Sequence, residues 1–341
     1  MIKDEVQTTT LSNELRQSVI ENRLHGMNDR QITAALAAKG IDARTAAEEI
    51  QSMSAHPYFT VAVDLARRLL KLEAMLDVRR SVSCLAYGSQ RVERRDTVSP
   101  AKFLDRYYAA NRPVILTGLM EDWPALSRWN PQHFKTEYGD QMVEIMSGRS
   151  EDPDYEINSR DHKHQVRFAD YVDMVTSASE SNDCYLVANN GFFSRPEMRP
   201  LLEDVRFFEE HLDPAASGGR VHFWFGPAGT VTPLHHDEMN IFMAQVYGRK
   251  KVTLISPEQT HLVYNHIGVF SEVNCDDPDF ERHPLFREAQ VLQVVLEPGE
   301  VLFLPVGWWH QVRAIDISIT VTFTNFILPN KFNWRRPHLR R

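Results

Sequence analysis

The stretch TVTPLHHDEMN, residues 230–240, sets His235 and His236 side by side and places Asp237 directly after them. Side chains alternate faces along a β-strand. On a strand, His235 and Asp237 therefore share one face and His236 points to the other. The spacing alone is a weak signal, because His211-Leu212-Asp213 repeats it. That second pair lies in RFFEEHLDPAASGG, which reads as a helix end running into a Pro/Gly loop. Residues two apart do not face the same way on a helix, so it is taken as a surface pair. His162 and His164 lie in SRDHKHQVRF, which is polar and loop-like, with no strand to hold both rings.

The 235–237 pair stands in different company. It follows the turn GPAGT, which joins two strand-like runs, and far downstream comes PGEVLFLPVGWWHQV, residues 298–312. Pro298-Gly299 is a tight turn. EVLFLP reads as a buried strand, and His310 follows Trp308 and Trp309. Taken alone, those tryptophans and that histidine would be core. Together with the HxD strand they outline two imidazoles and one carboxylate on a face with three open positions, the geometry of non-haem Fe(II) oxygenases.

Around these segments the chain is rich in short apolar runs cut by Gly and Pro. They fall at 113–119, 143–148, 184–190, 221–226, 241–248, 251–257, 291–299, 300–307 and 317–326. Many short strands so punctuated predict a sandwich or barrel. Helical pieces, PAKFLDRYYAA and ADYVDMVTSA, are interspersed among the first of these runs. The fold expected is mainly β with α, occupying 100–329.

Residues 1–85 read as helices. Leu15, Val19 and Leu24 follow a helical period and Gly26 stops it. Asn28 with Gln31 forms a capping box, Gly40 ends that helix, and Asp42 caps the next. A longer helix, VAVDLARRLLKLEAMLDVRR, follows His56-Pro57. Such spacing raises a DNA-binding helix-turn-helix, but residues 1–80 carry 11 Lys and Arg against 11 Asp and Glu. Zero net charge is a poor footprint for DNA, so a small bundle for docking or dimerisation is expected, with a homodimer as one outcome. A polar link spans 86–99, and 330–341 is a basic tail.

The whole chain has 341 residues, 43% of them hydrophobic, and a net charge of −8, which argues against a general nucleic-acid binder. Cys84, Cys184 and Cys275 are odd in number and far apart, so neither a disulfide framework nor a thiolate zinc site is expected. No apolar run reaches the ~20 residues that span a bilayer, and MIKDEVQTTTLSNELRQ lacks a signal-peptide core. A cytoplasmic protein is the expectation.

Four stretches carry a family resemblance over about residues 98–329: RPVILTGLMEDWPALSRW, YLVANN, GPAGTVTPLHHDEMNIFMAQVYGRKKVTLISP, and PGEVLFLPVGWWHQV with ISITVTFTNF. The chain resembles the JmjC-type cupin oxygenases, in the group of the asparaginyl hydroxylase factor inhibiting hypoxia-inducible factor. The resemblance implies a double-stranded β-helix (jelly-roll) holding Fe(II) through His235, Asp237 and His310. It implies 2-oxoglutarate as cosubstrate, its far carboxylate gripped by the lysine that opens the strand after the metal pair. Lys250 matches, with Lys251 beside it as the alternative. An unpaired buried dicarboxylate would be costly, so a cation there is physically reasonable. Thr232, Tyr185 and Thr322 match cosubstrate-facing positions. Thr232 lies three residues before His235 and would alternate away, unless the Pro233 bend re-aims it. The family asparagine six residues after the first ligand is Ile241 here, with Asn240 one earlier. That enzyme's dimer mode, through helices after its barrel, is not expected here.

The reaction implied is hydroxylation of a protein or peptide side chain, with succinate and CO2 as co-products and a small-molecule hydroxylase as the alternative. Trp224, Phe225, Trp308 and Trp309 are candidates for a dry shell. The rivals are another metal-dependent cupin activity without 2-oxoglutarate and a non-enzymatic binding cupin.

Overall fold

The computed structural model describes residues 11–86, 90–188 and 191–332. Most of the expected basic tail, 333–341, lies outside the described residues, as do 87–89 of the expected link. The chain divides into two compact units between Arg79 and Arg80.

In the first unit, α1 (Asn13–Leu24) starts where the Ser12 side chain accepts the Leu15 N–H. The capping box of Asn28 and Gln31 opens α2 (Asp29–Ala37), and Asp42 caps α3 (Ala43–Ala55). The three helices close over Val19, Ile32, Leu36, Ala46, Ile50 and Met53. The long α4 (Pro57–Ser83) opens on a proline, whose missing N–H costs nothing there. None of its residues is buried.

In the second unit the strands are β1 (Glu93–Arg95), β2 (Val114–Leu116), β3 (Met142–Met146), β4 (Lys163–Arg167), β5 (Val221–Gly226), β6 (Val231–His236) and β7 (Ile241–Tyr247). They continue as β8 (Lys250–Ile255), β9 (Asn265–Ile267), β10 (Phe270–Ser271), β11 (Leu292–Leu296), β12 (Val301–Leu304), β13 (Trp309–Ala314) and β14 (Ser318–Phe323). Six form a major sheet in the order β1-β2-β12-β7-β14-β5, and six a minor sheet, β11-β8-β13-β6-β10-β9. This is a jelly-roll of two facing sheets, mainly β with flanking helices. Part of the expected link is therefore a strand, since β1 pairs in parallel with β2.

The major sheet is covered outside by helices. Phe223 and Phe225 of β5 meet Phe134 of one helix (Pro131–Tyr138) and Phe168 of another (Phe168–Ser177). Between the sheets, Leu302 and Met243 pack with Val252 and Leu254. The outer face of the minor sheet buries Leu234, Ile255 and Trp309.

Three local readings are corrected. The run 184–190 is no strand: Tyr185 and Leu186 make single bridges to Met146 and Phe225, and Asn189 and Asn190 lie outside the described residues. His164 belongs to β4, whose partner is β3. The helix expected at 100–110 is four α residues (Pro100–Phe103) continued by a π turn (Leu104–Tyr108).

Candidate metal centre and adjoining cavity

His235 lies near the end of β6, and Asp237 is the first residue beyond it. β13 runs antiparallel to β6 and sets His310 directly opposite His235. The two rings are 4.1 Å apart between centroids. Nε2 of His310 is 3.5 Å from the Asp237 carboxylate. One ligand atom from each of the three lies within 4.8 Å of the other two.

Hydrogen bonds behind the rings fix what they offer. Nδ1 of His235 is 2.8 Å from the Pro233 carbonyl, and Nδ1 of His310 is 3.0 Å from the Trp308 carbonyl. A carbonyl only accepts, so both Nδ1 atoms carry the hydrogen, which leaves Nε2 as the ligand atom of each ring. Burial, and next the neighbouring His235, hold His310 well below the ordinary histidine range. Two imidazoles and a carboxylate converging on one point fit a divalent metal such as Fe(II).

The fate of Thr232 is decided by a bulge. His310 pairs with His235, but Val312 pairs with Thr232, so three residues of β6 span two of β13. The extra residue returns Thr232 to the inner face. There it lines a cavity of about 390 Å³ between the sheets, together with the triad. The major sheet contributes Trp224, Met243 and Thr322, and the minor sheet Val312 and Lys250. Thr322 accepts a hydrogen bond from the Trp224 indole at 3.1 Å.

Lys250 is 3% exposed. Its Nζ donates to the Tyr185 hydroxyl at 3.0 Å, and no carboxylate pairs with it among the described residues. Burial pulls its pKa down to about 7. Lys251 turns the other way and pairs with Asp276 at 2.5 Å. Strand alternation thus puts Lys250 in the cavity and Lys251 outside it. Burial also raises the Tyr185 phenol, which keeps its proton.

Nothing in the sequence marks Arg149, which sits in a polar run, yet its side chain is fully buried. It donates to Glu156 at 3.1 Å and to the Val231 carbonyl at 2.8 Å. Its guanidinium lies 4.3 Å from the Tyr155 ring and 5.2 Å from that of Tyr185. Glu156 lines the cavity, so Arg149 compensates an acid that would otherwise repel an anion there. His222 also lines the cavity, and burial lowers its pKa. Its signal was legible as parity, because it alternates with the outward Phe223 and Phe225 on β5.

Other expected residues go elsewhere. Asn240 does not line the cavity; its Oδ1 accepts the Val306 N–H at 2.8 Å. Gly307 N–H donates to the Asp237 carbonyl nearby, so both contacts tie the Asp237 turn to the turn before His310. Of the four aromatics proposed for a dry shell, only Trp224 lines the cavity. Phe225 faces the helices, Trp308 donates to Asn111, and Trp309 lies in the outer cluster. His211 is no surface residue: it is 4% exposed and packs on Phe103. His162 bonds Asp152 and the Ser147 carbonyl.

The family model described as the cupin-like domain matches residues 100–326. Lysine-specific demethylase 8 of Xenopus tropicalis is 32% identical over 65% of this chain and 49% of its own length. Lysine-specific demethylase JMJ30 of Arabidopsis thaliana is 30% identical over 78% of this chain and 62% of its own. tRNA wybutosine-synthesizing protein 5 of Gallus gallus is 28% identical over 68% of this chain and 76% of its own. The aligned region spans about half to three-fifths of the two demethylases. With the triad in place inside a jelly-roll, the chain belongs to the cupin-like family in its JmjC branch, whose members are typically Fe(II)- and 2-oxoglutarate-dependent oxygenases.

Proposed function

We propose that this protein hydroxylates a side chain of a protein or peptide, using Fe(II) and 2-oxoglutarate and releasing succinate and CO2. The observation that carries the reading is Lys250: a buried amine that no carboxylate pairs among the described residues, in the same cavity as the triad. A buried cation left unpaired is costly, and a dicarboxylate reaching in from the metal end resolves that cost. His235, Asp237 and His310 would hold Fe(II), which with 2-oxoglutarate and O2 supplies the oxidising chemistry. The chain's own contribution is position and exclusion of water. Lys250 binds the far carboxylate, and the Tyr185 hydroxyl, already accepting from Lys250, turns its own proton toward the same group. Thr232, which lines the cavity from β6, would donate to the same group. Trp224, Met243, Leu304 and Val312 keep the walls apolar.

The volume bears on the substrate. About 390 Å³ is at the lower end for ligand pockets. It must take the cosubstrate and still admit the target, which suits one protruding side chain better than a bulky metabolite. Two relatives are named as lysine-specific demethylases, so oxidation of an N-methyl group is the second reading. The test is incubation of the iron-loaded protein with 2-oxoglutarate and a peptide library. Succinate release and a one-oxygen mass gain, both absent in His310→Ala, are expected. Loss of a methyl group instead would select the second reading, and no succinate even without a peptide would overturn both.

A further inference from the structure

We propose that α4 is a self-association helix through which two copies of this chain pair in parallel. The helix runs from Pro57 to Ser83 with no buried residue. Val61, Leu65, Leu69, Leu72, Met75 and Val82 are each more than half exposed on it. A helix so apolar and so uncovered belongs against another surface.

The sequence says which surface. Tyr58, Ala62, Leu65, Leu69, Leu72 and Leu76 alternate by four and three, the a/d pattern of a coiled-coil seam with Leu65 and Leu72 at d. The seam covers about 28 Å of helix at 1.5 Å per residue. It stops at Arg79, a charge at the next d position. The positions flanking the seam specify the partner and its direction. Arg68 falls at g and Glu73 at the following e, and neither is ion-paired among the described residues. In a parallel pair of identical helices, g of one faces the following e of the other, so Arg68 meets Glu73 twice, once on each side. The remaining flanking pairs in this register, Val61 with Ala66 and Met75 with Arg80, contain no like charges. An antiparallel pair would set g against g and leave Arg68 without its acid. The seam is thus complementary to a second copy of itself.

Sedimentation equilibrium of the full chain tests this. The wild type is expected to be dimeric at micromolar concentration. Leu69→Glu with Leu72→Glu should raise the dimer dissociation constant at least about tenfold. These side chains are exposed within one chain, so helix content and melting of the barrel should be unchanged. Arg68→Glu should weaken the dimer and adding Glu73→Arg should restore it. Ala62→Cys, at an a position, should cross-link on oxidation above the wild-type background. A wild type monomeric throughout, or a dimer insensitive to the leucine pair, would overturn self-association. A persistent dimer in which Ala62→Cys does not cross-link would overturn the parallel arrangement.

Discussion

The two faces of the minor sheet carry nearly the same residue types and do opposite work. On β6 they are His235 inside and His236 outside, on β8 Lys250 and Lys251, and on β13 His310 and Trp309. Inside, the histidines converge on a carboxylate and the lysine waits without one. Outside, His236 stands edge-on to Trp309 at 4.6 Å, its pKa pushed down to about 3 by burial, and Lys251 is neutralised by Asp276. Residue identity does not separate ligand from filler here. Strand parity does, and the bulge at Pro233 resets that parity where Thr232 needs it.

The largest contrast should appear between neighbours at the metal end. His235→Ala or His310→Ala removes a ligand, and even supporting residues cost metal sites ~10–100-fold in affinity. Iron binding measured by calorimetry and turnover should both be lost. His236→Ala should keep both and instead cost about 2 kcal/mol of stability, as a buried ring leaves the Trp309 cluster. A His236 variant that loses iron while its fold survives would break the parity argument outright.

Next in size is the lysine pair. Truncating one member of a buried charge pair costs about 3–5 kcal/mol. Lys250→Met should therefore raise KM for 2-oxoglutarate a hundredfold or more, at ~1.4 kcal/mol per tenfold. Lys251→Met removes a partly exposed pair worth less than about 1 kcal/mol and should leave KM within about twofold.

The same lysine gives a smaller, graded effect with pH. Its folded pKa of about 7 lies below the ordinary lysine value, so the charged form is disfavoured in the ligand-free fold. Above that pH the ammonium is lost, and binding a carboxylate must first recover a proton. Affinity for 2-oxoglutarate should fall by up to about tenfold per pH unit above neutrality, and this slope should vanish in Lys250→Met. The ligand-free fold responds with the opposite sign. Between about 7 and ~10.4 the unfolded chain binds more protons at this site, so its stability contribution rises with pH.

Much of this was legible beforehand because the decisive periods are short. Alternation of two picked His235 over His236, and the capping chemistry of Asn28 and Asp42 placed two helix starts. What escaped was set by distant contacts. No local pattern shows that Arg149 will be sealed beneath Tyr185, or that His211 will sink among aromatics. The closeness of Asn240 to the ligands in sequence suggests chemistry, whereas its side chain accepts from Val306, 66 residues away. Phe225 and Trp224 are adjacent on β5 and so cannot line the same cavity; only Trp224 does.

The smallest predicted effect probes how finely the inner face is tuned. Gly226 ends β5, and a Cβ there would lie 2.6 Å from Cδ2 of Tyr185. Its backbone φ is not left-handed, so the glycine answers to this close approach and not to conformation. The Tyr185 ring also packs 5.8 Å from Trp224 and beside Arg149, and its hydroxyl accepts from Lys250. In Gly226→Ala the ring must slide, carrying the hydroxyl off the lysine. A displacement under an ångström should raise KM for 2-oxoglutarate by about threefold to tenfold and leave kcat at saturation nearly unchanged. Tyr185→Phe already lacks that hydroxyl, so adding Gly226→Ala to it should raise KM much less than in the wild type. If the two changes multiplied in full, Gly226 would act on the barrel by a route other than Tyr185, and the hydroxyl would not be what the close packing protects.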